Sequence, residues 1–185
     1  MRIKFETAQD LFVAFPTLQD DVEAAASETP PLDFTRQLAA SETPEDCLSF
    51  FAYLAPRREA VWWGCRCLHA LGTEDPTGAL AAADAWVAEP EEAQRIAALQ
   101  IAEATGSADQ ATWIAFAAGW SGGNIAGGDQ PAPVAAPPYL TAKAVRAAVL
   151  IAVSRAPFRE RRARLERCLD EAIAVANDDI EDHFD

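Results

Sequence analysis

Prolines divide this chain into segments of helical length. Proline is favoured at the first position of a helix, because the N–H that it lacks has no partner there. Pro30, Pro44, Pro76, Pro90 and Pro157 each stand where a new apolar pattern begins. Alanine, which has the highest helix propensity, makes up roughly a fifth of the chain. No long alternating run of strand-forming residues occurs, so the sequence predicts an all-α fold.

The apolar patterns between these breaks predict a compact bundle or orthogonal array of about eight to ten helices. We expect residues 1–185 to form a single helical domain, because 185 residues suffice for one core. The spacing of Pro56 and Pro90 also suits a helical-hairpin repeat. The predicted helices are 8–15, 18–26, 31–40, 44–55, 56–71, 77–88, 90–105, 109–120, 139–155 and 157–177, with a short strand at 2–6.

Two segments differ from this helical pattern. Residues 121–138 contain four of the nine glycines and four of the twelve prolines, which predicts a surface loop. Residues 178–185 form an acidic tail. A third feature is the repeat Ala-Ala-Ser-Glu-Thr-Pro at 25–30 and 39–44. We expect each copy to close one helix and to start the next, with Thr29 and Thr43 as N-caps.

The charge of the chain limits the classes of partner. The formal net charge is −14 and the isoelectric point is about 4.4, so nucleic acids and anionic membranes would be repelled. A protein partner remains compatible with such a surface. The first residues lack the apolar core of a signal peptide, and the most apolar stretch is too short to span a bilayer. We therefore expect a cytoplasmic protein with reduced thiols.

The most unusual chemistry lies in the run Trp-Trp-Gly-Cys-Arg-Cys-Leu-His at 62–69. In a helix, successive side chains turn by about 100°, so Cys65 and Cys67 point about 160° apart. They therefore cannot share a metal ion or form a disulfide with one another. Cys67, Trp63 and Gly64 fall on a broad apolar arc, where Gly64 would allow another helix to approach closely.

Cys65 and His69 share a helix face and leave one alternative open, a thiol- or metal-dependent site. Two ligands without a third make a weak zinc site, and a cysteine on an apolar arc is usually inert. No other set of catalytic groups converges in the sequence. We therefore predict no catalytic, cofactor-binding or metal-binding residue and a protein that is not an enzyme.

The narrow polar arc of the same helix includes Trp62. Its side chain either packs into the core or forms a recognition surface, since tryptophan is enriched in interface hot spots. A second aromatic stripe, Trp113, Phe116 and Trp120, has core-like spacing, and Trp120 adjoins the 121–138 loop. The candidate protein-binding residues are Trp62, Arg66, His69, Arg58 and Trp120.

An arginine-rich segment holds six of the fifteen basic residues, between Arg155 and Arg167. Pairs at i, i+4 favour a solvated helix face; they are 160/164, 162/166 and 167/171. Two alternatives are a surface for an anionic partner and a docking site for the acidic tail.

Two motifs stand out: Leu54-Ala55-Pro56 leading into Trp62-Trp63-x-Cys65-x-Cys67, and Trp120-Ser121-Gly122-Gly123 before a proline-rich loop. With these motifs the chain resembles a bacterial family of acidic helical proteins of unknown function. The resemblance covers most of the chain and brings no catalytic residues. Some similar proteins accompany type VI secretion genes, which implies an accessory or adaptor role.

Together these features predict a non-enzymatic cytosolic protein that binds another protein, as an adaptor or chaperone-like accessory of a bacterial secretion system. Two other functions stay open: the thiol- or metal-dependent site at Cys65 and His69, and a structural subunit of a larger assembly. The sequence does not indicate the oligomeric state.

Overall fold

The computed structural model describes residues 1–106, 108–125, 134–178 and 180–184, and it is all-α. Within these residues no strand forms, and one isolated bridge joins Asn124 to Ala135. A short 3₁₀ helix, Pro16–Asp20, follows the first α-helix. The α-helices are α1 Ala8–Ala14, α2 Pro31–Ala39, α3 Asp46–Leu54, α4 Arg57–Ala70, α5 Ala79–Ala88, α6 Glu92–Thr105, α7 Gln110–Gly119, α8 Leu140–Ser154, α9 Phe158–Asn177 and α10 Ile180–Phe184.

Prolines mark helix starts, as predicted. Pro30, Pro56 and Pro157 are the N-cap residues of α2, α4 and α9. The predicted threonine N-caps are wrong, because neither Thr29 nor Thr43 caps a helix. The N–H of Thr29 donates to Oγ of Ser27, and the N–H of Thr43 donates to Oγ of Ser41. Both copies therefore form the same local serine turn.

The predicted helix at 18–26 and the predicted strand at 2–6 are also wrong. The chain forms the 3₁₀ helix and then runs irregularly to residue 30, since its polar groups bond outside the segment. The carboxylate of Asp21 accepts bonds from Tyr53 and Lys143, and the N–H of Glu23 donates to Asp46. The first repeat copy consequently closes no helix. Residues 2–6 pair with no strand among the described residues.

Helix α4 lies at the centre of the fold and contacts α5, α7, α8 and α9. Gly64 permits this packing, since a Cβ atom there would lie 2.4 Å from Cδ1 of Ile114 in α7 and 3.2 Å from Cγ1 of Val145 in α8. Trp63 is fully buried, and its Nε1 donates to the carbonyl of Cys168 in α9 at 3.0 Å. The predicted close approach at Gly64 is confirmed.

Cations from distant parts of the chain bond to the C-terminal carbonyls of several helices. The last carbonyls of a helix lack intrahelical donors and carry partial negative charge, so a guanidinium group stabilises them. The donor and acceptor pairs are Arg58 to Val87 and Ala88 of α5, Arg164 to Ala152 of α8, Arg167 to Ala70 of α4, Arg95 to Gly119 of α7, and the N-terminal ammonium group to Ala176 of α9.

The two segments that differ from the helical pattern are partly described. The central part of the predicted 121–138 loop, residues 126–133, lies outside the described residues. Its two ends are joined, because the N–H of Ile125 donates to the carbonyl of Val134 at 2.9 Å. The predicted acidic tail contains α10, in which Ile180 is buried. No described helix is long and apolar enough to cross a membrane.

Candidate functional site

Trp62 lies on the polar arc of α4 but is only 4% exposed. The chain's own last helix covers it: the ring of His183 lies 5.0 Å from the Trp62 ring, and the ring of Phe184 lies 6.1 Å away. The sequence gives no local signal of this cover, because α10 follows α4 by more than a hundred positions. Trp62 is therefore packed in this structure, and its predicted role in recognition depends on whether α10 stays in place.

Arg58 and Arg66 complete the surroundings of Trp62. The guanidinium of Arg66 lies 5.4 Å from the Trp62 ring centroid, and its Nε donates to Glu171 of α9 at 2.6 Å. The guanidinium of Arg58 lies 5.9 Å from the Phe184 ring while it bonds the end of α5. We call Arg58, Trp62 and Arg66 the α4 edge. Their cations hold aromatic rings by cation–π contact and hydrogen-bond neighbouring helices at the same time.

His69 stands apart from Trp62, in the last turn of α4, and is well exposed. Its Nε2 lies 2.8 Å from Oδ2 of Asp84 in α5. Burial raises the pKa of the Cys65 thiol well above its ordinary value, and the nearby Asp84 carboxylate raises it further. The thiolate that a nucleophile or metal ligand needs is therefore disfavoured. Among the described residues, no group of three or more histidine, cysteine or acidic side chains could hold a metal ion.

All four cysteines are buried and reduced. Cys67 faces α9, where its Sγ lies 3.9 Å from the carbonyl oxygen of Cys168. Burial raises the pKa of Cys47 to about 12 and that of Cys67 well above its ordinary value, with the neighbouring Cys168 contributing to both. These thiols therefore behave as small apolar side chains that fill the core.

Trp120 does not join the α4 edge. It stacks on Phe116 with ring centroids 4.7 Å apart and meets Trp113 edge-on at 6.3 Å. All three rings are half-buried, so the stripe lies at the margin of the core and not inside it as its spacing predicted. The carbonyl of Trp120 accepts a bond from Thr141, which ties the start of the 121–138 loop to α8.

The arginine-rich segment forms fewer i, i+4 pairs than its sequence predicted. Arg162 pairs with Glu166 at 2.7 Å, but Arg164 and Arg167 donate to main-chain carbonyls. Glu171 accepts from Arg66 instead. Sequence reasoning missed the aromatic residue beside these arginines: Phe158, the first residue of α9, is 86% exposed. An apolar residue directly after a proline N-cap was the available signal.

A cavity of about 470 Å³ lies between the N-terminal segment and helices α3, α4 and α8. Its walls are mainly apolar, and its polar groups Tyr53, Arg57 and Thr141 bond to other protein groups. None of the candidate protein-binding residues lines it. The cavity and the α4 edge are therefore separate features.

Comparison with known proteins identifies a family but no individual relative. No curated protein and no solved structure matches the chain. A family model described as a family of unknown function, DUF6931, matches residues 34–176, which include most of α2, all of α3 to α8 and all but the last residue of α9. Helix α10 lies beyond the matched region. Since the match covers well over half of the chain, the protein belongs to this family of unknown function, DUF6931.

Proposed function

We propose that this protein binds another protein through the α4 edge, and that α10 occupies this edge while the partner is absent. The observation that carries the proposal is the contact of Trp62 with His183 and Phe184. Tryptophan and arginine are the residues most enriched in interface hot spots, and here they surround aromatic side chains. The aromatic side chains of α10 indicate the kind of group that would bind to the α4 edge.

The cover is short enough to leave. Helix α10 spans only Ile180–Phe184, and a helix of this length has little stability of its own. A partner segment that presents aromatic side chains can therefore replace it at low free-energy cost. Displacement would expose Trp62 and the now buried Ile180 of α10, whereas Trp63 stays bonded to Cys168 in the core.

The finer form of the proposal is a cytosolic adaptor or chaperone-like accessory of a bacterial secretion apparatus. Its support is the resemblance of the Trp-Trp-x-Cys-x-Cys and Trp-Ser-Gly-Gly motifs to proteins that accompany such genes. Under this proposal the protein performs no catalysis. If it is instead a structural subunit, sedimentation of the purified protein will show self-association in the absence of any partner.

The test combines capture from native lysate, identified by mass spectrometry, with titration of the purified partner. We expect Trp62→Ala to weaken partner binding by at least about thirtyfold, as for a hot-spot residue. Phe184→Ala should strengthen binding, because it loosens the cover. Val13→Ala, which trims another exposed apolar residue, serves as the control.

Trp62→Phe separates folding from recognition, since it retains an aromatic ring at the buried position. Urea unfolding of each variant shows which of them keep the native fold. Partner binding that is equal in the wild type, the Trp62 variants and the Phe184 variant would overturn the proposal.

A further inference from the structure

The turn between α8 and α9 carries an exposed aromatic residue among cations. Phe158 is 86% exposed, and Arg155, Arg159 and Arg162 are exposed beside it along the chain. Arg164, half-buried, follows on the same helix. We call these five residues the arginine corner. A single exposed apolar residue is ordinary on a protein surface, so what distinguishes Phe158 is the group of arginines beside it.

The charge of this corner opposes that of the whole protein. Residues 155–167 contain six arginines and two glutamates, whereas the chain carries a net charge of −14. A local positive surface on an acidic protein attracts a negatively charged segment, whereas the acidic remainder of the surface repels that segment. Charge complementarity therefore favours an acidic partner at the arginine corner.

Arg155, Arg159 and Arg162 remain available to a partner, whereas Arg164 already donates to the carbonyl of Ala152. Arg159 and Glu160 are 3.4 Å apart, and both side chains are exposed, as are those of Arg162 and Glu166. Exposed ion pairs of this kind contribute little to stability, so a partner carboxylate can replace the glutamate. The main-chain N–H of Arg155 donates to the carbonyl of Ile151, but its side chain makes no hydrogen bond or ion pair with the described residues.

A shallow cavity of about 250 Å³ adjoins the corner and adds a polar group of a different kind. Arg155 and Arg164 line it together with Gln110, Thr73 and Glu74. Gln110 is buried, and its side-chain carbonyl Oε1 has no hydrogen-bond partner among the described residues. A buried acceptor without a donor is costly, and the main-chain N–H of a bound peptide would supply one.

We propose that the arginine corner binds an acidic, extended segment of a protein partner. An apolar side chain of the segment packs on Phe158, its carboxylates pair with Arg155, Arg159 and Arg162, and its main chain donates to Gln110. This surface is separate from the α4 edge, so the inference goes beyond the proposed function and does not depend on it.

The orphan acceptor favours a peptide over other anions. Lipid phosphates and nucleic-acid backbones are acceptors themselves and offer Gln110 no main-chain donor. Their extended charge would also meet the acidic remainder of the surface. A short acidic segment avoids this repulsion, because it contacts only the corner.

A fluorescein-labelled peptide that alternates glutamate with leucine and phenylalanine is the probe, and fluorescence anisotropy with the full chain is the readout. We expect Arg159→Glu combined with Arg162→Glu to weaken binding by at least about tenfold, and Phe158→Ser to do the same. These positions are exposed, so the variants keep the fold. The matched controls are Arg36→Glu and Val13→Ser, which alter an exposed arginine and an exposed apolar residue elsewhere.

Further results decide the proposal. Binding should weaken in high salt, where charges are screened within about 3 Å. The same peptide with lysine in place of glutamate should not bind. Absence of binding by the glutamate peptide, or equal weakening by the control variants, would overturn the inference. Stronger binding of single-stranded DNA or of phosphatidylserine vesicles to the corner would overturn the assignment to a protein segment.

Discussion

Gly64 of α4 and Ile114 of α7 approach so closely that only a hydrogen atom fits between their carbons. A Cβ atom on residue 64 would lie 2.4 Å from Cδ1 of Ile114, whose side chain is fully buried. Gly119, at the end of α7, is crowded differently, because its Cβ would lie 2.7 Å from Cβ and 3.0 Å from Cα of Leu99. The atom that crowds Gly64 is the end of a side chain, whereas the atoms that crowd Gly119 belong to the main chain of Leu99 or are bonded to it.

This difference makes Gly64→Ala a repairable substitution. We expect it to reduce the free energy of unfolding by about 1–3 kcal/mol through overpacking, partly offset by the higher helix propensity of alanine. Ile114→Val removes the clashing methyl group, so the double variant should be more stable than the sum of the single changes implies. Gly119→Ala combined with Leu99→Ala is the control, since Cα and Cβ of residue 99 remain. Urea unfolding measures all four variants, and an additive Gly64/Ile114 pair would contradict the packing.

Asp21 makes the stability of the fold sensitive to acid. Burial acts to raise its pKa, but bonds from Lys143 and Tyr53 and the charge of Arg146 outweigh burial and hold the pKa below its ordinary value of 3.8. The folded state therefore binds this proton less readily than the unfolded state does. The resulting stability is present above about pH 3.8 and is lost as the pH falls through the folded pKa.

Asp21→Asn tests this relationship. At pH 7 we expect it to lower the free energy of unfolding by about 1–3 kcal/mol, because Lys143 loses its carboxylate partner. Near pH 3 the gap between variant and wild type should narrow. Asp33→Asn breaks an exposed pair with Arg36 and should change stability by less than about 0.5 kcal/mol at either pH. If the difference in free energy of unfolding between Asp21→Asn and the wild type is the same at both pH values, another carboxyl group causes the acid sensitivity.

Local signals predicted most helices but not the segments held by distant partners. Pro56 and Pro157 indicate where α4 and α9 begin, because proline restricts the backbone of its neighbours in the sequence. The 18–26 segment has helical periodicity, yet Asp21 bonds Lys143, which lies 122 positions further along the chain. No window of sequence contains both residues, so the local preference lost to a long-range bond.

The candidate site shows the same limit. The helical arc of α4 correctly separated Cys65 from Cys67, since that geometry is local. It also placed Trp62 among polar residues, but the burial of Trp62 depends on α10. Likewise, the i, i+4 rule paired Arg164 with Glu160, whereas the end of α8 offers Arg164 the carbonyl of Ala152 at 2.9 Å. A rule that considers one helix cannot predict a hydrogen-bond acceptor that lies on another helix.

The buried thiols should be inert in the folded protein. Because burial raises the pKa of Cys47 to about 12 and that of Cys65 well above its ordinary value, little thiolate is present at pH 7. We expect alkylation by iodoacetamide to be at least about a hundredfold slower in the native protein than in urea. Ala40→Cys introduces an exposed thiol as the control for reagent activity. Rapid native alkylation at Cys65 alone would instead support the alternative thiol site.

Of the charged side chains, Arg95 should cause the largest loss in the free energy of unfolding when it is replaced. Its side chain is only 5% exposed, and the guanidinium donates to Glu92, to the carbonyl of Gly119 and to that of Asn124, so it joins α6 to the end of α7 and the start of the 121–138 loop. Arg95→Gln leaves these buried carbonyls without a charged donor, and we expect a loss of about 2–4 kcal/mol in urea unfolding. Arg95→Lys should recover part of the loss, because an ammonium group cannot reach all of the acceptors.

Glu92→Gln, which removes the exposed partner alone, should cost less than about 1 kcal/mol. Equal costs for Arg95→Gln and Glu92→Gln would mean that the bonds to the two carbonyls contribute nothing to the junction.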